Sequence, residues 1–210
     1  MSYSQNYEKW LNFEQLPDYL RQELLQMDEK TKEDAFYTNL EFGTAGMRGY
    51  IGAGTNRINI YVVRQATEGL AKLIETKGDE AKKRGVAIAY DSRHFSPEFA
   101  FESAQVLAQH GIKSYVFESL RPTPELSFAV RHLGTFAGIM ITASHNPAPF
   151  NGYKVYGEDG GQMPPADADA LTDFIRTIED PFTIALADLE ESKASGLIEV
   201  IGEAVDVEYL

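Results

Sequence analysis

From residue 58 onward, apolar and polar positions alternate between two periods, and the switches between them mark out the elements. "YVVRQATEGLAKLIETKG" carries apolar residues at helical spacing and stops at Gly78. "GVAIAYD" is a short apolar run suited to a buried strand. "SPEFAFESAQVLAQHG" then predicts a helix with Ser96 as its cap, Pro97 at its first position and Gly111 at its end. "KSYVFE" is the next strand, and "TPELSFAVRHLG" repeats the helix opening with Thr123 and Pro124 before closing at Gly134. "FAGIMITA" predicts a third buried strand and "NGYKVY" a fourth that pairs nearby. A later helix covers about 166–179, and "GLIEVIG" reads as a strand that carries the chain elsewhere.

Strand, helix, strand, helix, strand is the signature of an α/β layered domain, a three-layer α/β/α arrangement around a mixed, largely parallel sheet. Ahead of it, residues 1–40 form a charged arm. Trp10, Leu11, Leu20, Leu24 and Leu25 fall near helical spacing there, in two stretches around 7–12 and 17–29. The intervening "EFGTAGMRGYIGAG" is so rich in glycine that it predicts loop and turn. The division expected is an arm over 1–40, the α/β domain over 41–195, and over 196–210 the start of a connection to a following domain absent from this chain.

Charge narrows the partners. The 19 Lys+Arg against 32 Asp+Glu give a net charge of -13, which repels nucleic acid and anionic membranes. An anionic substrate needs a cleft where a few basic residues are focused. With no cysteine in the chain, a disulfide scaffold and a cysteine zinc site are excluded, and a reducing cytoplasm fits. "MSYSQNYEKW" has no signal-peptide core, and no window approaches the roughly 20 apolar residues of a membrane span.

In parallel sheets reactive groups gather just past the carboxyl ends of strands. Asp91 to His94 and Ser144 to Asn146 sit at two such ends. The second follows "FAGIMI" directly, in "TASHNPAPFNGYK". Ser, Asn and Pro are turn formers, so an ordinary turn is one reading and a reacting serine the other. A hydrolase elbow does not fit, because Thr142 and Asn146 stand where its glycines would be. In an extended segment His145 points away from Ser144, which argues against a dyad of the two.

"TASHNP" followed by "NGYK" resembles the phosphoserine loop of the α-D-phosphohexomutases, the phosphoglucomutase/phosphomannomutase superfamily. "EFGTAGMRG", "AYDSRHFS" and "RPTPELSFAV" agree with it in order, and the charged arm resembles the subgroup that includes bacterial α-phosphoglucomutases. The resemblance implies that Ser144 is the phosphorylated serine. It would hand its phosphoryl group to a hexose phosphate and recover the other one from a hexose 1,6-bisphosphate. Arg48 would sit beside the phosphoserine, and Lys154 and His145 are the two candidates for moving the hydroxyl proton. Thr44, Asn146 and Arg93 are further candidates for phosphate contact, although Asp91 and Arg93 are equally suited to holding the sheet edge or orienting the serine loop.

Physical chemistry supports these roles. Phosphoserine adds about -1.5 to -2 charges and requires cations and donors around it. Phosphoryl transfer depends on alignment and on neutralising the equatorial oxygens, for which an arginine fork is suited.

The resemblance also implies Mg²⁺, held by the serine phosphate and three aspartates of a D-G-D-x-D-R loop. This chain has no such loop. "ADADA" at 166–170, with Asp167 and Asp169, reads as a helix start, where acidic residues suit the dipole. Ser144, through its phosphate, is then the single metal ligand here. Loops of the "GEESGH" and "RPSGTEP" type are missing too, so the resemblance is to the first of four domains. The expected function is that of a phosphoglucomutase using glucose 1,6-bisphosphate as activator, with little turnover from this domain alone. The alternatives are phosphomannomutase, phosphopentomutase, hexose-bisphosphate synthase and a non-catalytic sugar-phosphate binder. Nothing in the sequence sets the oligomeric state.

Overall fold

The computed structural model describes all residues from Met1 to Leu210. Its strands are β1 (Gly46–Tyr50), β2 (Val86–Tyr90), β3 (Ser114–Phe117), β4 (Ala137–Ile141), β5 (Phe150–Tyr156) and β6 (Ile198–Ile201). They form one sheet in the order β1-β5-β4-β2-β3-β6. β2 is parallel to β3 and β4, and β3 to β6, while β5 is antiparallel to both β4 and β1. β5 alone therefore runs against the others.

The helices are α1 (Tyr3–Leu11), α2 (Asp18–Gln26), α3 (Glu29–Phe36), α4 (Ile60–Thr76), α5 (Asp79–Arg84), α6 (Ser96–Gln109), α7 (Thr123–Leu133), α8 (Pro165–Arg176), α9 (Leu189–Ala194) and α10 (Glu203–Tyr209). α4 and α6 pack together on one face of the sheet with α8 against α4, and α7 packs on the other face beside α10. The three-layer α/β/α expectation is met. Every residue of β2 and β4 is buried, as strands covered on both faces must be.

Four expectations change. The glycine-rich stretch is not all loop, because "GMRGY" is the edge strand β1. Its register opposite β5 puts Gly46 against Lys154, and at φ 128° a Cβ on Gly46 would lie 2.1 Å from the Tyr153 carbonyl oxygen. Glycine is what lets the two strands approach there. Secondly, "GLIEVIG" stays in the domain: Ile198–Ile201 pair with β3 as the other edge of the sheet. The chain after it forms α10, which Arg121 ties down by donating to Asp206 from Nε (2.7 Å) and Nη2 (2.8 Å).

Thirdly, Ser96 does not cap α6. It is the first helical residue, preceded by Phe95 at φ 63°, and its hydroxyl donates sideways to Asp91 Oδ1 (3.1 Å). Likewise Thr123 is the first residue of α7, behind Pro122. The arm holds three helices rather than two. Its Trp10, only 2% exposed, meets Phe36, Tyr61 and Phe182 edge-on at 5.7, 5.5 and 5.2 Å, so the arm shares the main core.

Candidate active site

β2 and β4 lie side by side, and their carboxyl ends finish level, with Tyr90 opposite Ile141. The chain leaves β2 for α6 on one face and leaves β3 for α7 on the other, so the sheet opens a crevice between β2 and β4. The loops after these two strands face each other across it. Asp91 N–H donates to the Ile141 carbonyl (3.1 Å) and joins them at the base.

Asp91 is the hub of the first loop. Its Oδ1 accepts from Arg93 N–H (3.0 Å) and Ser96 Oγ (3.1 Å), and its Oδ2 accepts from the buried Thr142 hydroxyl (2.6 Å). Asn151 Nδ2 donates to Ser96 Oγ (2.9 Å) and to the His94 carbonyl (3.0 Å), which fastens β5 to the same loop.

The serine loop is held from this side. Arg93 donates from Nη2 to the carbonyls of Ser144 (2.8 Å) and Asn146 (2.7 Å), and from Nη1 to those of Pro147 and Phe150 (both 3.0 Å). Its Nε lies 3.4 Å from Asp91 Oδ2. All five N–H donors of the guanidinium therefore face groups of the protein. Of the three roles open to Arg93, phosphate contact, the sheet edge and the serine loop, the geometry is that of the loop holder.

Ser144 is exposed and has φ 56°, in the left-handed region that serine seldom adopts. Its N–H donates to Thr142 Oγ1 (3.0 Å), and Asn146 N–H donates to the Ala143 carbonyl (3.1 Å) to close the turn. Ser144 Oγ lies 3.3 Å from His145 Nδ1. The expectation that His145 points away from the serine is thus corrected. It assumed an extended chain, and the left-handed residue breaks the alternation.

Arg48 reaches the loop from β1, where Nη1 donates to Asn146 Oδ1 (2.8 Å). In the β1–β5 register Arg48 is opposite Gly152 and Lys154 is opposite Gly46. Paired residues share a face, so the two cations are diagonal neighbours with bare glycine between them. The Lys154 side chain is half-buried and makes no hydrogen bond or ion pair within the chain. Thr44 precedes β1 in the chain. It lies at the tip of the Gly43–Gly46 turn, and its side chain makes no hydrogen bond to the serine loop.

A cavity of about 380 Å³ opens beside the serine, lined by Asp91, Ser92, Arg93, His94, Ser144, Asn146 and Ala148. Ser92 and His94 are additions that spacing alone did not single out, although both stand in "DSRH". Thr142 is another, with no signal beyond its place at the end of an apolar run. No group of three His, Cys, Asp or Glu side chains could hold a metal ion. Asp91, the nearest carboxylate, is engaged by Thr142, Ser96 and Arg93. Asp167 in α8 pairs with Lys77 at 2.9 Å, in keeping with its reading as part of a helix start. Magnesium therefore does not fit a site made by these residues alone.

The chain thus has an α/β/α domain with Ser144 on an exposed turn past the carboxyl end of β4, in a loop that Arg48 reaches from β1. Residues 39–181 match the family described as phosphoglucomutase/phosphomannomutase, alpha/beta/alpha domain I. The chain belongs to that family. It is 41% identical over 181 residues to the phosphoglucomutase of Staphylococcus saprophyticus, covering 86% of this chain and 32% of the relative. The phosphoglucomutase of Staphylococcus aureus strain USA300 is 43% identical over 159 residues, covering 76% and 28% respectively. Among solved structures, a Thermus thermophilus protein assigned as a phosphomannomutase superposes with TM-score 0.59 at 28% identity, over 79% of this chain and 33% of that one. Parafusin, a phosphoglucomutase from Paramecium, superposes equally well at 19% identity, over 78% and 34%, and so shares the fold. The chain spans about a third of the length of the curated relatives it matches.

Proposed function

We propose that this chain is the phosphoserine domain of a phosphoglucomutase, and that Ser144 carries the phosphoryl group exchanged between glucose 1-phosphate and glucose 6-phosphate. The observation that carries the reading is the presentation of Ser144. Its hydroxyl stands exposed on a left-handed turn, with Arg48 and the unpaired Lys154 nearby on β1 and β5. The name glucose, rather than mannose or a pentose, rests on the curated relatives, which are phosphoglucomutases.

In the forward transfer, the bond from phosphorus to Ser144 Oγ breaks and a bond from phosphorus to a sugar hydroxyl forms. The proton of that hydroxyl leaves to a base, and Ser144 departs as an alkoxide that recovers a proton. His145 Nδ1, 3.3 Å from Oγ, is placed to exchange a proton with the serine. Lys154 serves the sugar side or the phosphate, because no group of this chain competes for its ammonium. Arg48 exchanges Asn146 for the phosphate oxygens, which its planar fork suits. Charge neutralisation is the main catalytic contribution in such a transfer, and these 210 residues hold only part of it. Ser144 phosphate would be this chain's one ligand to Mg²⁺, the others lying outside it.

The test is the intact mass of the protein before and after exposure to glucose 1,6-bisphosphate with Mg²⁺, followed by peptide mapping. One phosphoryl group on Ser144 is the expected result. A stable phosphate elsewhere, or none on the full-length protein, overturns the reading. The isolated chain is expected to show little mutase turnover, so a robust rate from it would refute the division of labour proposed here.

A further inference from the structure

We propose that Asp91, acting through Thr142, is a positioning residue that locks Ser144 in its left-handed conformation. The proposal rests on the reading of Ser144 as the phosphoryl carrier. Two non-glycine residues of the chain have positive φ, Phe95 at 63° and Ser144 at 56°. Each such residue costs about 1–2 kcal/mol and persists where its surroundings over-determine it. Both lie on the segment 91–96 or are hydrogen-bonded to it, so one cluster holds both.

The lock follows from how few protons are available. Thr142 has one hydroxyl proton, and Asp91 Oδ2 takes it at 2.6 Å, the short distance expected of a hydroxyl donating to a carboxylate. With the proton committed, the threonine oxygen can only accept, and it accepts the Ser144 N–H at 3.0 Å. Were Asp91 absent, the Thr142 hydroxyl could rotate and turn a proton toward that same N–H. The carboxylate itself cannot swing away, because Oδ1 is fixed by Arg93 N–H and Ser96 Oγ. The Ser144 carbonyl is held by Arg93 Nη2 at 2.8 Å.

Both backbone polar groups of Ser144 are therefore occupied, the N–H by Thr142, whose hydroxyl Asp91 fixes, and the carbonyl by Arg93. Its remaining polar atom is Oγ, which is left for the reaction. Phe95 makes the same arrangement possible from the other side. Its left-handed turn brings Ser96 back beneath Asp91, and Tyr19 of the arm stacks on its ring at 5.4 Å, with Phe99 on the ring at 6.0 Å.

The experiment compares Thr142→Val, Thr142→Ser and Asp91→Asn. One readout is hydrogen exchange at the Ser144 amide of the chain. The other is the rate of phosphoryl acceptance from glucose 1,6-bisphosphate in the full-length protein. Thr142→Val keeps the shape of the side chain and removes the hydroxyl. It is expected to speed exchange at Ser144 by about fivefold to tenfold, the loss of one hydrogen bond. Phosphoryl acceptance should slow by a similar factor, with the KM for the bisphosphate little changed. Thr142→Ser restores both. Asp91→Asn, which removes the charge and keeps the size, moves both in the same direction as the valine. Exchange within about twofold of the parent in both the valine and the asparagine variants overturns the proposal, as does failure of the serine to restore it. If the parent accepts no phosphate, the carrier reading falls while the exchange data still judge the lock.

Discussion

Replacing Arg93 by lysine keeps the charge and removes the fork. Arg93 bonds four carbonyls from two nitrogens, at 2.8 and 2.7 Å from Nη2 and 3.0 Å twice from Nη1. A lysine has one nitrogen, and carbonyls of residues 144, 146, 147 and 150 do not converge on a point. Keeping two of the four is the best it can do. The two lost bonds involve a charged donor in a half-exposed loop, where water replaces part of the loss, so about 1 kcal/mol each applies. The total is about 2 kcal/mol. For a chain of this size that lowers the melting temperature by about 4–8 °C. Thermal unfolding followed by circular dichroism measures the shift, and hydrogen exchange across 144–150 localises it. A variant that melts within about 1 °C of the parent, with unchanged exchange in that loop, would show that the four contacts are not what holds it.

Other consequences follow from single contacts. His110 bridges Glu68 (2.8 Å from Nε2) and Glu75 (2.7 Å from Nδ1), and its pKa is raised chiefly by the bond to Glu68, against opposing burial. That contribution is full below about pH 6.5 and is lost as pH rises through the raised folded value. Glu68 is lowered chiefly by its bond to His110, so its share is present above its ordinary value of 4.5 and fades as pH falls through the lowered one. His110→Gln should therefore cost most between these limits, and urea unfolding that gives the same gap at mildly acidic and strongly alkaline pH would contradict this. Lys154→Met removes no side-chain hydrogen bond or ion pair within the chain and should leave stability within about 0.5 kcal/mol while impairing phosphoryl transfer, read by melting and by loading of Ser144. Gly69→Ala would gain about 1 kcal/mol of helix propensity on an open helix face. Here its Cβ would lie 2.4 Å from Ile175 Cγ1 of α8, so a net loss of about 1–3 kcal/mol is expected from denaturant titration.

The layered α/β architecture was legible because β2 and β4 are covered on both faces and so read as continuous apolar runs. β1 was not, since "GMRGY" has no apolar alternation and owes its strand form to pairing with β5, about a hundred residues away. α5 was invisible for a related reason: Ala81 is its one buried residue, too little for a stripe. At the site, Ser144 and Arg48 could be singled out through the resemblance of "TASHNP" and "GMRG" to the phosphohexomutase motifs. The direction of His145 could not, because nothing local announces a serine at φ 56°. Ser96 followed by Pro97 looks like a cap, and only the nearness of Asp91 and Asn151 gives it another partner. The grip of Arg93 was hidden because its acceptors are carbonyl oxygens, which every residue possesses.

That anonymity has a further consequence. The Arg93 grip, made on main-chain oxygens, is indifferent to the side chains at those positions, unlike the contact of Arg48 with the Asn146 amide. His145, Asn146 and Ala148 can be exchanged without disturbing the Arg93 contacts, provided the backbone keeps its path. Shape and chemistry are thus largely separate in this loop: the segment from Asp91 to Ser96 preserves the form, and the outward side chains carry the chemistry. An engineer seeking a different phosphoryl acceptor could vary the outward positions first and leave the inner loop as it stands.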